Sequence, residues 1–426
     1  MALIKLEPKD FIRETPKYPD FPYAEGKARI DKAKKLMSEN EIDAMVLFSK
    51  YNMRYFFGLI TICWEIQDIQ AGVGIIPLDG EPILIVPAFL AINAQQFCWT
   101  KDIRLQIGPF GPKGREELVK LVADVVKEIG CDKKNIALEM GPMGVMSIPR
   151  PLNDIELFKS ELPDARFVNG DKVIWDCRMV KSPLEIDRIR RAVQVVNKMH
   201  SALVEGFRPG MSEIDLEKMI RHVEVDAGDF QGMDAVMSGF FFCNLEKEGI
   251  IDCMGLDDVM VLSKNDYIVA DLQHKHKGYW ADIARVFQVG PITDEIKRAY
   301  EVCIAGFESG AAMIRPGVKA NEVYKAAGKP FKGTGLAVAE MAGHGVGMEV
   351  HEPPNLEINN EMLLQEGMVL ALEIWIHPEI ETEKFWRRDG GVGMIGFEDQ
   401  FVVTDKGCER IEGLDKSIIQ VSHPIL

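Results

Sequence analysis

The sequence has eight cysteines in 426 residues, but no two of them stand at the C-x-x-C spacing of zinc ribbons and thioredoxin-like sites. Neither kind of site is therefore indicated. In a chain of this length the thiols are expected to be reduced and mostly buried, which predicts a cytoplasmic location. The cysteines stand at positions 63, 98, 131, 177, 243, 253, 303 and 408.

Basic residues and long apolar runs are also scarce. Lysine and arginine number 50 against 66 aspartates and glutamates, a net charge of −16. Nucleic acids and anionic membranes attract basic patches, so we expect neither as a partner. No stretch approaches the roughly 18 apolar residues of a membrane-spanning helix, and the charged start, Met1–Pro8, does not resemble a signal peptide. The acidic balance would suit cations held in a carboxylate-lined site.

The chain is long enough for two domains. Residues 1–175 alternate between helical and strand patterns, which predicts a sheet covered by helices, and they lack a glycine-rich phosphate loop. Within them, Asn52–Gly58 is expected to form a turn. A strand is expected to end near Trp175–Cys177, and a long charged helix to run from Leu184 to about Val204. We therefore place the domains at 1–180 and 181–426.

The second domain contains an internal sequence repeat. Gly206–Ile214 resembles Met313–Val323, and each segment carries an Arg-Pro-Gly turn between two expected helices. Ser212 and Asn321 are the expected N-caps of the helices that follow. The repeat predicts two structurally similar halves. The alternative is coincidence, because Pro-Gly turns between helices are common.

The run Gly343–Pro354, GHGVGMEVHEPP, places His344 and His351 seven positions apart among glycines and prolines. Glycines let a backbone approach its neighbours closely, and prolines stop a helix from continuing. Alone, the run could be a glycine-rich turn with two incidental histidines. A set of carboxylates elsewhere in the chain favours a metal site instead.

Four acidic residues fall inside or at the end of apolar strand patterns. Asp271 and Asp282 lie on the two arms of a hairpin whose expected tip is Lys275–Gly278, and Glu373 and Glu398 lie in two later strands. Buried carboxylates are costly without a cation or a shared proton; the alternative is that some face solvent. Carboxylates with one imidazole suit Mn²⁺, Fe²⁺ or Co²⁺, with Zn²⁺ possible. Several bridging carboxylates would suit two metals sharing a hydroxide.

These residues, in this order, resemble the pita-bread metallohydrolases, the family of methionine aminopeptidase, prolidase, aminopeptidase P and creatinase. The resemblance is strong over residues 186–426 and looser over the first domain. The segments that carry it are Arg178–Glu185, Gly278–Arg285, Gly343–Pro354 and Glu366–Val369. The resemblance implies an α+β fold. Its C-terminal pita-bread domain would have duplicated helix and antiparallel-sheet halves, preceded by a creatinase-like α/β domain.

The family resemblance also implies roles for individual residues. The ligands of two divalent metal ions, Mn²⁺ or Fe²⁺ first and Co²⁺ or Zn²⁺ as alternatives, would be Asp271, Asp282, His344, Glu373 and Glu398. Glu373 would also activate a metal-bridging water, and His351 would contact the substrate carbonyl or the tetrahedral intermediate. The implied activity is hydrolysis of a peptide or amide C–N bond, as in an Xaa-Pro peptidase, by a homodimer.

Three positions depart from the peptidase pattern. Family peptidases place a histidine seventeen positions before the first ligand aspartate, where this chain has Met254. Proline-specific members place a histidine four positions before the ligand histidine, where Glu340 stands, and tend to have an arginine at the position of Gly396. His274 and His276 are expected at the hairpin tip, and the alternative is that one of them substitutes for the missing histidine. The residues expected to bind the substrate at these three positions therefore differ from those of the family's peptidases.

Candidate substrate-binding residues are Met254, Trp64 and Phe241. They would form an aromatic, methionine-lined pocket for a small apolar or cationic substrate, and the alternative is ordinary core packing. Two other functions stay open. One is a metal-dependent non-peptidase of the same fold, either a dimethylsulfoniopropionate-type lyase or a small-molecule amidohydrolase, and the other is a metal-binding scaffold without turnover. The intact run around His351 favours hydrolysis.

Overall fold

The computed structural model describes residues 2–60, 72–108, 112–141, 152–228, 238–244, 249–253, 266–378, 395–411 and 413–421. The chain divides into two compact units, Met1–Arg178 and Met179–Leu426. Each unit has its own sheets and helices.

The first unit is built on a seven-stranded mixed sheet with the order β1-β5-β4-β3-β2-β6-β7. Its strands are β1 (Ala2–Lys5), β2 (Ala44–Leu47), β3 (Val73–Pro77), β4 (Ile83–Pro87), β5 (Asp102–Ile107), β6 (Asn135–Leu138) and β7 (Arg166–Asn169). Its helices are α1 (Tyr23–Glu39), α2 (Lys50–Phe57), α3 (Ala91–Phe97), α4 (Pro112–Glu128), α5 (Leu152–Glu161) and α6 (Asp171–Arg178). Val122 of α4 and Phe158 of α5 are buried in one apolar cluster with Val46 and Ile75 of the sheet. Helices therefore cover this sheet, as the alternating pattern predicts.

Two predictions in this unit are wrong. The segment expected to be a turn, Asn52–Gly58, lies mostly in α2, and Gly58 ends that helix at φ 75° with its N–H donating to the carbonyl of Arg54. The segment expected to be a strand end, Trp175–Cys177, lies in α6. In α2, Met53, Phe56 and Phe57 are fully buried at helical spacing. Packing of such aromatic and apolar faces overrides the weak local preference of these residues.

The second unit contains two five-stranded sheets. In the first, with the order β17-β11-β10-β8-β9, the strands are β8 (Ser238–Asn244), β9 (Gly249–Cys253), β10 (Tyr267–His276), β11 (Tyr279–Val289) and β17 (Ile419–Val421). In the second, β12-β14-β15-β16 with β13 also pairing β14, the strands are β12 (Leu336–Val338), β13 (Gly343–Gly345), β14 (Val369–Pro378), β15 (Ile395–Val403) and β16 (Cys408–Arg410). The central pairs β10–β11 and β14–β15 are both antiparallel.

Two helix pairs correspond to the internal repeat of the sequence. They are α7 (Pro183–Gly206) with α8 (Glu213–Ala227), and α9 (Asp294–Ala311) with α10 (Ala320–Gly328). The predicted N-cap at Ser212 is confirmed, because its hydroxyl accepts the N–H of Asp215. The predicted N-cap at Asn321 is wrong, because α10 begins at Ala320 and its N-cap is Lys319, two residues earlier. There the carboxylate of Glu322 accepts the N–H of Lys319.

The hairpin β10–β11 turns at residues 277–278, so the histidines expected at its tip lie inside β10 instead. His274 and His276 are buried, at 1% and 7% exposure. Because side chains alternate across a strand, they point away from the face that carries Asp271. His274 lies 3.5 Å from Glu224 of α8. Neither histidine can therefore replace the one missing from the family pattern.

Candidate metal centre

Five side chains that could bind a metal converge from five strands of the second unit. They are Asp271 on β10, Asp282 on β11, His344 on β13, Glu373 on β14 and Glu398 on β15. Glu373 and Glu398 are direct partners across the β14–β15 pair. Asp282 is opposite Gln273, so the two aspartates are offset by two residue pairs along the hairpin. Their donor atoms form overlapping groups within 4.8 Å of one another.

The imidazole of His344 links the two sheets. Its Nε2 lies 3.6 Å from Oε1 of Glu373 and 3.8 Å from Oδ2 of Asp282. Its Nδ1 lies 3.0 Å from the carbonyl oxygen of Gly345. A carbonyl can only accept, so Nδ1 carries the proton and the Nε2 lone pair faces the carboxylates, as in a metal-ligating histidine.

Several polar atoms of this cluster lack the partners that burial demands. Glu398 is 1% exposed and His344 is 0% exposed. Within the described residues, no N–H or O–H group donates to either carboxylate oxygen of Glu398, and Nε2 of His344 has no hydrogen-bond partner. Uncompensated buried charge is strongly unfavourable. The donor set of four carboxylates and one imidazole therefore fits divalent cations.

Crowding and burial shift the pKa values of these groups. Burial is the larger cause and the negative charge of Glu373 the next, and together they raise the pKa of Asp271 to about 7. Burial and the neighbouring carboxylates raise the pKa values of Asp282 and Glu398 well above normal. Burial also raises the pKa of Glu373, an effect that the hydrogen bond from Trp375 opposes. A cation between these groups would relieve their mutual repulsion.

Burial lowers the pKa of His344 to about 4, which keeps its imidazole neutral and able to bind a metal near pH 7. His351 lies at the edge of the cluster. Its ring centroid is 4.2 Å from that of His344, and a ring nitrogen belongs to the group that includes Asp282. Burial, followed by the nearby His344, lowers the pKa of His351 to about 4. This half-buried imidazole is therefore neutral and beside the other donors.

The segment that carries both histidines depends on close backbone packing. Gly343 has φ 143°, and a Cβ there would lie 3.1 Å from the carbonyl carbon of Ala371. A Cβ at Gly347 would lie 2.7 Å from the carboxyl carbon of Glu352. Glu352 is buried, accepts the N–H groups of residues 348 and 349, and forms a buried ion pair with Lys181 at 3.0 Å. These contacts hold the His344–His351 segment against β14.

Gln273 and Trp375 are two neighbours of the cluster that sequence reasoning missed. Gln273 is 5% exposed, and its Nε2 donates to Oδ1 of Asp271 at 3.0 Å and to Oδ1 of Asp282 at 2.7 Å. Trp375 donates its indole N–H to Oε2 of Glu373 at 2.7 Å. Each stands two positions after a candidate ligand on the same strand, so strand alternation was the signal that could have found both.

The candidate substrate residues are less fully placed. Met254 and Trp64 lie outside the described residues. The backbone of Phe241 lies in β8, opposite Val269 of β10. Of the positions that depart from the peptidase pattern, Glu340 is exposed and Gly396 is opposite Trp375.

The fold and the site define a metal-dependent hydrolase with a creatinase-type N-terminal domain. Residues 187–405 match the model of metallopeptidase family M24, and residues 29–180 match that of the creatinase/prolidase N-terminal domain. The chain belongs to metallopeptidase family M24. The family and the α+β pita-bread fold expected from the sequence are thereby confirmed.

Similar proteins extend along almost the whole chain. An uncharacterized peptidase of Bacillus subtilis, YqhT, is 26% identical over 404 residues, covering 92% of this chain and 99% of that protein. An Xaa-Pro dipeptidase of Pyrococcus furiosus is 25% identical over 397 residues, covering 92% of this chain and 100% of its own. The solved Xaa-Pro dipeptidase of Bacillus anthracis has the same fold, with a TM-score of 0.75 at 21% identity, covering 93% and 99% of the two chains. Within the described part of this chain, no helix is long and apolar enough to cross a membrane.

Proposed function

We propose that the chain is a dinuclear-metal-dependent peptidase of the prolidase type, which hydrolyses the peptide bond before proline in short Xaa-Pro peptides. The observation that carries the proposal is the convergence of five donors that are buried or half-buried, among which Nε2 of His344 and both oxygens of Glu398 lack a hydrogen-bond partner within the described residues. The similarity to Xaa-Pro dipeptidases along 92% of the chain supports the substrate class.

The cations would be held by both aspartates, His344, Glu373 and Glu398, of which Asp282, His344 and Glu398 each occur in two donor groups. Bound there, divalent cations supply the positive charge that polarises a scissile carbonyl and lowers the pKa of water. Oxygen donors with one imidazole favour Mn²⁺ or Fe²⁺, with Co²⁺ and Zn²⁺ as alternatives.

Glu373 is the proposed general base. Its carboxylate lies inside the group of candidate ligands, where it can accept a proton from a water molecule. Oε2 is already engaged by the indole of Trp375, whereas Oε1 faces His344. In the proposed reaction Glu373 takes the proton of the attacking water and returns it to the leaving nitrogen of proline.

His351 is the residue that we propose to stabilise the oxyanion by a hydrogen bond. With a pKa of about 4 it is neutral at pH 7, so one ring nitrogen carries a hydrogen that it can donate. It would donate this hydrogen bond to the substrate carbonyl oxygen and to the oxyanion of the tetrahedral intermediate. Donors of this kind stabilise the charge that develops in the transition state.

The proposal is tested with purified protein loaded with Mn²⁺ and a panel of Xaa-Pro dipeptides and tripeptides, with Xaa-Ala peptides as matched controls. We expect Xaa-Pro cleavage that Glu373→Ala abolishes, and His351→Ala to lower kcat by about 10²-fold or more, as the loss of an oxyanion donor does. A protein that binds two metal ions and cleaves no member of the panel would contradict the peptidase proposal.

A second candidate is a non-peptidase reaction at the same centre. The observation that favours it is at position 396, where the indole of Trp375 covers a glycine in place of the arginine typical of proline-specific members. The substrate would be a small amide, or a sulfonium acid cleaved by a lyase reaction. Release of dimethyl sulfide from dimethylsulfoniopropionate, or hydrolysis of non-peptide amides, would decide for this candidate when the peptide panel is not cleaved.

We also propose that the protein is a cytoplasmic homodimer. Light scattering should give a mass of twice the 47.8 kDa of one chain. A mass of one chain across the micromolar range would contradict the dimer, and recovery in a secreted or membrane fraction of the source cells would contradict the location.

A further inference from the structure

Trp375 and Gly396 form a cross-strand pair next to the metal centre. They are direct partners on β14 and β15, two positions beyond the Glu373–Glu398 pair. Because side chains alternate along a strand, all four residues share the face of the sheet that carries the carboxylates. The strand register therefore brings the indole to the edge of the candidate site.

The indole lies on the bare backbone of Gly396. A Cβ built on this glycine would be 2.5 Å from Cζ3 and 2.7 Å from Cδ2 of Trp375. Real Cβ contacts essentially never come closer than 3.0 Å. Any side chain at position 396 would therefore have to displace the indole, and Trp375 uses the space that such a side chain would fill.

In this position the indole holds one oxygen of Glu373. Its N–H donates to Oε2 at 2.7 Å, while Oε1 of the same carboxylate lies 3.6 Å from Nε2 of His344. The N–H of Ala339 in turn donates to the Trp375 carbonyl at 2.8 Å. The two oxygens of Glu373 thus have different neighbours. Oε2 is bound by Trp375, outside the cluster of five candidate ligands, and Oε1 faces His344, inside it.

We propose that Trp375 is a positioning residue for Glu373, and that Gly396 permits this role by leaving space for the indole. The hydrogen bond prevents the carboxylate from rotating, so that Oε1 stays directed at the donor cluster. Groups that orient a metal ligand in this way typically contribute 10–100-fold to metal affinity or activity. The unusual residue at position 396 and the tryptophan at 375 then form one functional unit.

This proposal deepens the proposed function and rests on its assignment of Glu373 as a ligand and base. The first test is the affinity for Mn²⁺, measured by isothermal titration calorimetry, which does not depend on turnover. Trp375→Phe keeps an aromatic ring and removes the N–H, and Gly396→Ala displaces the ring. We expect each to weaken Mn²⁺ binding by about 10-fold or more.

Two matched controls come from the same chain. Trp99 is a buried tryptophan of the first unit whose Nε1 has no hydrogen-bond partner among the described residues, so Trp99→Phe removes an indole N–H without removing a bond. A Cβ at Gly328 would meet only Val338, at 3.7 Å, so Gly328→Ala is sterically tolerated. Both control variants should bind Mn²⁺ like the wild type.

A double-mutant cycle separates positioning from general destabilisation. If Gly396→Ala acts by displacing the indole, it should weaken Mn²⁺ binding in the wild type and have little further effect in a Trp375→Ala background. Peptide hydrolysis adds a second readout, in which Trp375→Phe should lower kcat by about 10-fold or more and change KM by less than about 2-fold.

Wild-type Mn²⁺ affinity in Trp375→Phe, or an equal effect of Gly396→Ala in both backgrounds, would overturn the proposal. Failure of the proposed function looks different. In that case the wild type would bind Mn²⁺ and cleave no Xaa-Pro peptide, while the affinities of the variants would still decide the role of Trp375.

Discussion

Gln273 faces Asp282 directly across the β10–β11 hairpin, and its amide nitrogen donates to Oδ1 of that aspartate at 2.7 Å. The same nitrogen donates to Oδ1 of Asp271 at 3.0 Å. One neutral amide therefore joins the two carboxylates that the hairpin places two residue pairs apart. It orients both aspartates without adding charge to a crowded acidic site.

Replacing Gln273 by methionine should weaken Mn²⁺ binding by about 10–100-fold, because two ligands lose the group that orients them. Methionine has a similar shape and cannot donate a hydrogen bond. Gln288→Met is the matched control, since Gln288 is also buried and, within the described residues, its amide donates only to the backbone carbonyls of Asp266 and Val289. Calorimetric titration of both variants checks the expectation, and equal affinities would contradict it.

Glu398→Gln should stabilise the metal-free protein and weaken its metal binding. Burial and four neighbouring carboxylates raise the pKa of Glu398 well above normal, so its charged form is unfavourable without a cation. Relief of about 1 kcal/mol would raise the Tm of a unit of this size by about 2–4 °C. Thermal unfolding with chelator and then with Mn²⁺ measures both effects. A metal-free Tm below that of the wild type would contradict this explanation.

Metal binding should release protons at pH 6, and metal affinity should rise with pH. The pKa of Asp271 in the folded protein is about 7, against an ordinary value of 3.8, so this residue holds a proton in the metal-free fold at pH 6. Such a raised carboxyl pKa stabilises the metal-free fold below about pH 4, and the contribution is lost as pH rises towards 7. The lowered pKa values of His344 and His351 act oppositely, since stability is lost as pH falls from about 6.5 to 4.

Calorimetry at pH 6 in buffers of different ionisation enthalpy counts these protons. We expect a net release that shrinks above about pH 7, because the carboxylates must lose their protons to act as ligands. Binding without proton exchange at pH 6 would contradict the expectation that Asp271 holds a proton in the metal-free fold.

The sequence marked the four acidic residues as candidate ligands because each stands in a strand whose apolar neighbours indicate burial, and it marked His344 by its glycine-rich run. Asp282 and Glu398, for example, are 3% and 1% exposed. The strand register of the hairpin was not predictable from the sequence, and it differs by two residue pairs from one in which the two aspartates are directly opposed. The hairpin turns at residues 277–278, which offsets Asp271 from Asp282 and moves His274 from the expected tip into a buried strand.

Contacts that depend on tertiary packing were the ones that sequence reasoning missed. The helix α2 forms where a turn was expected, because the buried face of Met53, Phe56 and Phe57 outweighs local preference. The sequence marked Gly396 as a departure from the family pattern, but it did not indicate that the side chain of Trp375 covers it. That contact requires the strand pairing, which no local pattern encodes.

Lys181→Met should destabilise the protein by about 3–5 kcal/mol, because it leaves Glu352 as an unpaired buried charge. Lys181 and Glu352 form their ion pair at side-chain exposures of only 2% and 1%. The carboxylate also accepts the N–H groups of residues 348 and 349, so this loss should loosen the segment that carries His351. Urea unfolding measures the stability, and kcat reports on the segment.

Two further variants make this last expectation specific. Glu352→Gln added to Lys181→Met removes the uncompensated charge and keeps an acceptor for both N–H groups, so it should recover part of the lost stability. Lys120→Met removes an exposed helical ion pair with Glu116 and should cost less than about 1 kcal/mol. A Lys181→Met variant as stable as Lys120→Met would show that the buried pair does not hold the segment in place.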